Sequence, residues 1–197
     1  KKSTLAIWTR VCYNKRNDSF LERGRRRDTV LIQGNLQISP LEEQDMKTLA
    51  AWETQEFRGE FEEYQMASPE NLRRQLNQDG LCSESFQMLM IRLDELPVGL
   101  LYLNFVRMGL VRLGLVLDPG ARGQHLGSRV LELTRDYLLD NYPVVRIEAD
   151  TDVENFAAQK ALERCGFSAE GVLRKYRFHH GRYHDSYLYS YLRDEKF

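Results

Sequence analysis

The chain has 197 residues, of which 42% are hydrophobic and 11% aromatic, enough to form one domain with a sizeable core. This composition excludes a disordered or collagen-like chain, and no apolar run approaches the roughly 20 residues of a membrane helix. The formal net charge of −1 gives no sign of an electrostatic partner. Three widely spaced cysteines without a Cys-x-x-Cys pair argue against a disulfide framework or a zinc knuckle and favour a reducing cytoplasm.

The charge is unevenly distributed along the chain. Residues 1–27 contain nine basic and two acidic side chains, and the other 170 residues contain 19 basic and 27 acidic ones. We therefore expect a basic N-terminal extension over residues 1–28, followed by a catalytic or binding domain over residues 29–197. The extension has two interpretations, an arm that contacts RNA or the ribosome and a solvated tail.

The first half of the domain is predicted to begin with a strand at residues 36–38 and two helices. Ser39 is predicted as the N-cap of the first helix, with Pro40 in its first turn. Ser68 is predicted to cap the second helix, which ends at Gly80. Between the two helices lies an acidic and aromatic stretch, Glu53–Tyr64.

The second half reads as strands, then helix, strand and helix, then strands, which indicates a mixed α/β sheet. The predicted strands are residues 86–93, 98–106, 110–117, 144–149, about 170–178, and 183–192. The predicted helices are residues 125–140 and 154–164.

A glycine-bearing loop joins the strand 110–117 to the helix 125–140. From Arg122 to Ser128 it reads Arg-Gly-Gln-His-Leu-Gly-Ser. Backbone N–H groups and the dipole at a helix start suit a phosphate, and Gly123 and Gly127 permit a close approach. The glycine spacing matches neither a Walker loop nor a dinucleotide fingerprint. The alternative is a plain loop whose glycines only turn the chain.

The segment Arg122–Gly127 resembles the Arg/Gln-x-x-Gly-x-Gly/Ala signature of the GNAT superfamily of acetyl-CoA-dependent N-acetyltransferases, with His125 at the usual place of the inner glycine. The resemblance implies that this loop binds the pyrophosphate of coenzyme A. The implied contacts are Arg122, Gly123, Gln124, His125, Leu126, Gly127 and Ser128.

Two further segments extend the resemblance over residues 30–193. Residues 155–167 are similar to the Asn-x-x-Ser/Ala…Leu-Glu-Lys-x-Gly-Phe segment of the same superfamily, in which the asparagine, here Asn155, contacts the pantetheine. Residues 170–192 look like the C-terminal strands of the RimJ/RimL branch, which includes acetyltransferases of ribosomal protein N-termini. The implied fold is α/β (α+β), a mixed, mostly antiparallel sheet flanked by helices, with the strands 110–117 and 144–149 splayed around acetyl-CoA.

The resemblance also implies a reaction. An amine attacks the thioester directly, and a backbone N–H from Leu115, Val116 or Leu117 polarises the thioester carbonyl. The tyrosine and serine that commonly carry protons in the family correspond to Leu162 and Ala158 here.

Four side chains remain as candidate proton carriers: Glu148, Asp150, Tyr176 and Asp185. Of these we expect Glu148 and Tyr176 to act. The alternatives are solvated or ion-paired side chains, or a water relay. Three histidines in the last hairpin, His179, His180 and His184, do not make a convincing ligand set, and no metal is expected.

The sequence thus predicts a cytoplasmic, acetyl-CoA-dependent N-acetyltransferase, monomeric or homodimeric, with no membrane partner. The acidic stretch 53–64 is expected to attract a cationic acceptor, either a protein N-terminus or a small cationic amine. Two alternatives stay open at this point, an amino-sugar or antibiotic N-acetyltransferase, and a non-catalytic CoA-binding or RNA-binding module.

Overall fold

The computed structural model describes residues 30–62 and 68–194, and within them eight strands form one sheet. The strands are β1 (Leu31–Gln33), β2 (Leu36–Pro40), β3 (Phe86–Leu93), β4 (Leu96–Arg107), β5 (Leu110–Leu117), β6 (Arg146–Asp152), β7 (Ser168–His179) and β8 (Arg182–Leu192). Their order across the sheet is β1-β2-β3-β4-β5-β6-β8-β7. Neighbouring strands are antiparallel except for β5 and β6, so the predicted mixed, mostly antiparallel sheet is confirmed.

Helices cover both faces of the sheet because the strands bury apolar side chains on both sides. The helices are α1 (Met46–Ala51), α2 (Gln55–Arg58), α3 (Pro69–Asp79), α4 (Leu126–Asn141) and α5 (Phe156–Arg164). On one face, α4 and α5 pack Val130 and Leu162 against strand residues such as Ile147. On the other face, α1 and α2 pack Leu49 and Phe57 against a second core, which α3 borders. Each core buries the apolar side of its helices.

The start of the first helix differs from its prediction. Ser39 lies within β2, and its hydroxyl accepts a hydrogen bond from Arg92 at 2.6 Å. A single 3₁₀ turn at Glu43–Asp45 precedes α1. Its N-cap residue is Glu42, whose backbone N–H donates to the Asp45 carboxylate at 2.9 Å. Asp45 also receives two hydrogen bonds from Arg92. A contact between distant residues therefore overrides the local capping signal at Ser39.

The other predicted elements are present with small shifts of their ends. The helix predicted to follow Ser68 is α3, and it ends at Gly80, which has the left-handed φ of 68° that favours glycine. Ser68 precedes this helix but makes no side-chain cap hydrogen bond. The strand predicted at residues 144–149 begins two residues later and extends to Asp152. The three-residue strand β1 and the four-residue helix α2 were not predicted, because segments so short carry little periodicity.

The parallel pair β5–β6 separates along its length. Only four residue pairs connect the two strands, from Leu110 opposite Arg146 to Leu113 opposite Ala149. Beyond that point β5 continues to Leu117 and β6 to Asp152 without pairing to each other. The expected splayed pair is therefore present, and it leaves a gap in the middle of the sheet.

The expected basic extension, residues 1–28, lies outside the described residues. Within the described ranges no helix has the length and apolar character needed to cross a membrane.

Candidate active site

A cavity of about 400 Å³ opens where β5 and β6 separate. Its walls come from the end of β5, the loop before α4, the first turn of α4, the end of β6, and α5. The sequence-predicted residues that line it are Leu115, Leu117, Arg122, Gly123, His125, Leu126, Gly127, Ser128 and Asn155. The side chains of Val116 and Gln124 lie elsewhere, Val116 in the second core and Gln124 hydrogen-bonded to the carbonyl of Gly120.

The loop before α4 presents backbone N–H groups to this cavity. A 3₁₀ turn at Pro119–Ala121, capped by Asp118, turns the chain away from β5, and α4 begins at Leu126. The N–H groups of a first helical turn have no acceptor inside the helix, so they are free to bind an anion. Gly123 and His125 both have left-handed backbone, with φ of 76° and 58°.

His125, the departure from the family signature, therefore occupies a conformation that glycine adopts more easily. Its ring nitrogen Nδ1 lies 2.7 Å from Nη1 of Arg164, so its imidazole is turned toward α5.

Arg122 makes main-chain contacts that the sequence did not predict. Its guanidinium donates from Nε to the carbonyl of Leu117 at 2.9 Å, and from Nη2 to the carbonyls of Glu56 and Phe57 at 3.2 and 2.7 Å. These bonds connect the loop to α2 on the opposite face of the sheet. Although Arg122 lines the cavity, its Nε and Nη2 donors are bonded to main-chain carbonyls.

Two cations that the sequence reasoning missed line the cavity from α5. Lys160 and Arg164 stand four residues apart on one side of this helix, close to the loop before α4. Both side chains bring positive charge to the end of the cavity beside that loop. Their spacing on the helix that follows Asn155, the residue expected to contact the pantetheine, was a usable signal.

Asn155 and its neighbours form the wall beside the gap. The Asn155 side-chain oxygen accepts a hydrogen bond from the N–H of Ala158 at 3.1 Å and caps α5, which leaves its amide NH₂ for a ligand. Ala158 and Leu162 line the same wall. This part of the cavity is therefore apolar at the two positions where the family commonly has a tyrosine and a serine.

Charged groups that face each other lie at the far side of the gap. Arg177 donates from Nε and Nη2 to Oδ2 of Asp150 at 3.0 and 2.6 Å, and from Nη1 to Oε2 of Glu62 at 2.7 Å. All three residues line the cavity. Burial raises the pKa of Glu62 above its ordinary value, even though Arg177 acts in the opposite direction.

The expected proton carriers Glu148 and Tyr176 are displaced from this cavity. Glu148 stands opposite Arg112 in the paired part of the β5–β6 ladder, before the strands separate. Its carboxylate accepts hydrogen bonds from Arg112 at 2.7 Å and from Arg146 at 2.8 Å. Burial acts to raise its pKa, but these two arginines outweigh it and the pKa is lowered. Glu148 thus fits a buried ion pair better than a proton carrier.

Tyr176 lies in the bulged part of β7 and is 42% exposed. Its hydroxyl accepts a weak hydrogen bond from Arg112 at 3.3 Å, and it lines a separate, shallow surface depression with residues 172–175 and Asp185. Asp185 accepts a hydrogen bond from the N–H of Lys175, which fixes the bulge. The structure brings Tyr176 and Glu148 together through Arg112, outside the cavity.

His179 and His184 do come together with an aspartate. The Asp152 carboxylate lies 2.8 Å from His179 Nε2 and 3.7 Å from His184 Nδ1, and the two rings stack with centroids 3.7 Å apart. A metal-bound histidine usually donates its second N–H to an acceptor. Here the second nitrogen of His184 instead faces the Nε donor of Arg182 at 3.2 Å, so the arrangement suits a hydrogen-bonded cluster better than a metal site.

The acidic stretch predicted to attract the acceptor is described up to Glu62, and its residues 63 and 64 lie outside the described residues. Within it, the main-chain carbonyl of Glu60 lies 3.1 Å from His180 Nε2, and the Phe61 ring meets the His179 ring edge-on. These contacts hold the segment against the β7–β8 hairpin, beside the gap.

Comparison with known structures gives the same architecture. The RimL ribosomal L7/L12 alpha-N-protein acetyltransferase in complex with coenzyme A superposes with a TM-score of 0.74 at 19% identity, over 85% of this chain and 100% of that one. A spermidine N-acetyltransferase from Vibrio cholerae in complex with CoA and spermine gives 0.73 at 21% identity, over 81% and 96%. The ribosomal-protein-S5-alanine acetyltransferase from Vibrio fischeri gives 0.73 at 19% identity, over 85% and 98%.

Sequence comparison identifies the family. An uncharacterized N-acetyltransferase, p20 of Bacillus licheniformis, is 30% identical over 112 residues, 56% of this chain and 62% of that protein. The match thus spans less than two thirds of that relative. The family model for the acetyltransferase (GNAT) domain matches residues 35–168, well over half of the chain. With the splayed strands and the loop before α4 in their expected places, the chain belongs to the GNAT acetyltransferase family.

Proposed function

We propose that the chain transfers the acetyl group of acetyl-CoA to a primary amine within a ternary complex. The supporting observation is a single cavity with two unlike ends. One end has the free amides before α4 together with Lys160 and Arg164, which suits the phosphates of coenzyme A. The other end has the carboxylates of Glu62 and Asp150, which suits a cationic amine.

The gap between β5 and β6 is the natural path for the thioester. Alternate N–H groups of a strand point to opposite sides, so half of those from Gly114 to Leu117 are directed at the gap rather than at β4. An N–H in this position would stabilise negative charge on the thioester oxygen as the amine attacks. Asn155, with its NH₂ unused by the helix cap, would hold the pantetheine.

The acceptor that we propose is a protein N-terminus or a small cationic amine. Proteins of the same fold whose names specify ribosomal proteins or spermidine as acceptors support this class. We further propose that residues 29–197 form the catalytic domain, that the protein acts in the cytoplasm as a monomer or homodimer, and that residues 1–27 contact RNA or the ribosome.

The test is release of the coenzyme thiol with a panel of amines. The panel contains short peptides with free N-termini, spermidine, and an amino sugar, each beside its N-acetylated form as a control. We expect turnover with a peptide or the polyamine and an increase in product mass by one acetyl group. Turnover with the amino sugar alone would favour the sugar acetyltransferase. Coenzyme binding without any turnover would favour the non-catalytic module.

The acceptor class has its own test. Reversing the charges of Glu60 and Glu63 should raise the acceptor KM selectively, since both lie in the acidic stretch before α3. A change in coenzyme affinity alone would contradict that assignment.

A further inference from the structure

We infer that Glu62 accepts the proton of the acceptor ammonium, and that Arg177 positions it by holding Glu62 and Asp150 on either side of one guanidinium. This inference rests on the proposed transfer to an amine. It assigns the base to Glu62, in the segment after α2, in place of Glu148 on β6.

The position of the cluster carries the first step of the argument. Ala149 forms the last β5–β6 pair, with Leu113, so Asp150 is the first residue of β6 beyond the ladder. Arg177 reaches the Asp150 carboxylate from β7, and Glu62 reaches Arg177 from the segment after α2. The cluster therefore stands at the opening through which an amine must approach the gap.

The two carboxylates are not equivalent. Both bonds from Arg177 to the Asp150 side chain go to the same oxygen, Oδ2, and the Asp150 side chain is only 8% exposed. Glu62 receives a single bond from Nη1, and its side chain is 41% exposed. Asp150 thus acts as the fixed counter-ion of Arg177, whereas Glu62 is the carboxylate that an entering ammonium can reach.

The charges around Glu62 favour this role. The groups that act on it are Arg177 on β7, Asp150 on β6, Arg58 at the end of α2, and the phenol of Tyr102 on β4. Arg58 is paired with Glu53 at 3.4 Å, so the single guanidinium of Arg177 between two carboxylates leaves a net negative charge that attracts an ammonium. Burial raises the pKa of Glu62, and a carboxylate with a raised pKa is a stronger base toward an amine.

The proton balance closes with these groups. The ammonium gives one proton to the Glu62 carboxylate, and the neutral amine then forms the C–N bond to the thioester carbonyl carbon. The C–S bond breaks as the nitrogen loses its second proton, and that proton goes to the leaving thiolate. Glu62 returns its proton to water, which its partial exposure permits. No side chain is required as an acid, in keeping with Ala158 and Leu162 on the coenzyme wall.

The experiment compares Glu62→Gln with the wild-type protein across pH, using an acceptor that the wild type acetylates. Without the base, the amine must arrive already neutral, so kcat/KM should fall about tenfold for each pH unit below the pKa of the amine. We expect a loss of about 100-fold near pH 7 that shrinks to a few-fold at a pH above the amine pKa, with unchanged affinity for acetyl-CoA. Glu62→Asp should recover part of the loss.

Glu60→Gln is the matched charge control. It removes an equal charge from the same segment, and we expect a higher acceptor KM without the pH-dependent loss of kcat. Melting temperatures near the wild-type value establish that the variants are folded. A Glu62→Gln variant with the wild-type kcat and pH profile overturns the inference while the proposed function stands. A wild-type protein that acetylates no primary amine overturns both.

Discussion

Arg122 donates a hydrogen bond to the main-chain carbonyl of Phe57 at 2.7 Å and so connects the loop before α4 to the end of α2. The two residues belong to opposite faces of the sheet, and their contact passes beside the gap between β5 and β6. The Arg122 side chain thereby holds together the loop before α4 and the segment that leads to Glu62.

Replacing Arg122 should therefore affect folding more than phosphate binding. Arg122→Met removes three hydrogen bonds to main-chain carbonyls, and we expect the free energy of unfolding to fall by about 2 kcal/mol. Urea denaturation measures this change. The salt dependence of acetyl-CoA binding should match that of the wild type. A stable variant with a weaker salt dependence would mean that Arg122 contacts the phosphates instead.

The phosphate charge should come from Lys160 and Arg164. Arg164→Gln is expected to raise the Kd for acetyl-CoA about tenfold or more at low salt, because a charge-assisted hydrogen bond is lost. At 0.5 M salt the difference in Kd should narrow, since screening weakens the Arg164 contact that only the wild type makes. Arg74→Gln removes an exposed arginine of α3 bonded to Asn71 and is the control. Calorimetric titration distinguishes the two variants, and equal Kd values would refute the assignment.

Glu148 should stabilise the fold without taking part in catalysis. Its two arginine partners lower its pKa, so the folded state holds the carboxylate more tightly than the unfolded state does. That stabilisation is complete above the unfolded pKa of about 4.5 and is lost as the pH falls through the lower, folded-state pKa.

We expect the free energy of unfolding of Glu148→Gln to be about 1 to 3 kcal/mol lower than that of the wild type at pH 7. The difference between the two proteins should stay constant down to about pH 5.5 and narrow below pH 4. The kcat of the variant should stay within a few-fold of wild type at a temperature where it is folded. A large loss of kcat without a loss of stability would restore Glu148 as a proton carrier.

Gly123 and His125, which both have left-handed backbone, allow two opposite substitutions to be compared. His125→Gly should leave the protein as stable as the wild type or slightly more so, because glycine adopts a φ of 58° without strain. Gly123→Ala should destabilise it by about 1 kcal/mol, although the site has open space for a methyl group. Thermal melts compare the two variants. A stabilising Gly123→Ala would show that this backbone relaxes at no cost.

The sequence pattern was informative wherever an element is long and its signal is local. The helix α4 and the strands β3 and β5 follow from apolar periodicity, and the loop between β5 and α4 from its glycines and the helix start that follows. Ser39 carried an equally clear local signal, but Arg92, which lies 53 residues later, recruits its hydroxyl into β2. Local capping propensity is worth about 1 kcal/mol, which such a tertiary contact can outweigh.

The acceptor side could not be assigned from the sequence because its residues are far apart in the chain. Arg177 and Glu62 are separated by 115 residues, and nothing near either position in the sequence indicates that they meet. The structure distinguishes Glu148 from Asp150, because the ladder between β5 and β6 ends between them. Glu148 lies in the paired part of β6, and Asp150 lies beyond it. The end of a strand pairing is a property of the folded sheet and has no sequence signature.

The short β5–β6 ladder gives the sheet a seam. Four residue pairs hold its two halves side by side, and past them both strand edges expose backbone groups that lack a neighbouring strand on that side. A ligand in the gap could make hydrogen bonds to these backbone groups in place of the missing strand. The amides between Gly114 and Leu117 that face the gap should then exchange with deuterium much more slowly once acetyl-CoA is bound. The coenzyme should also make the two halves unfold as one unit.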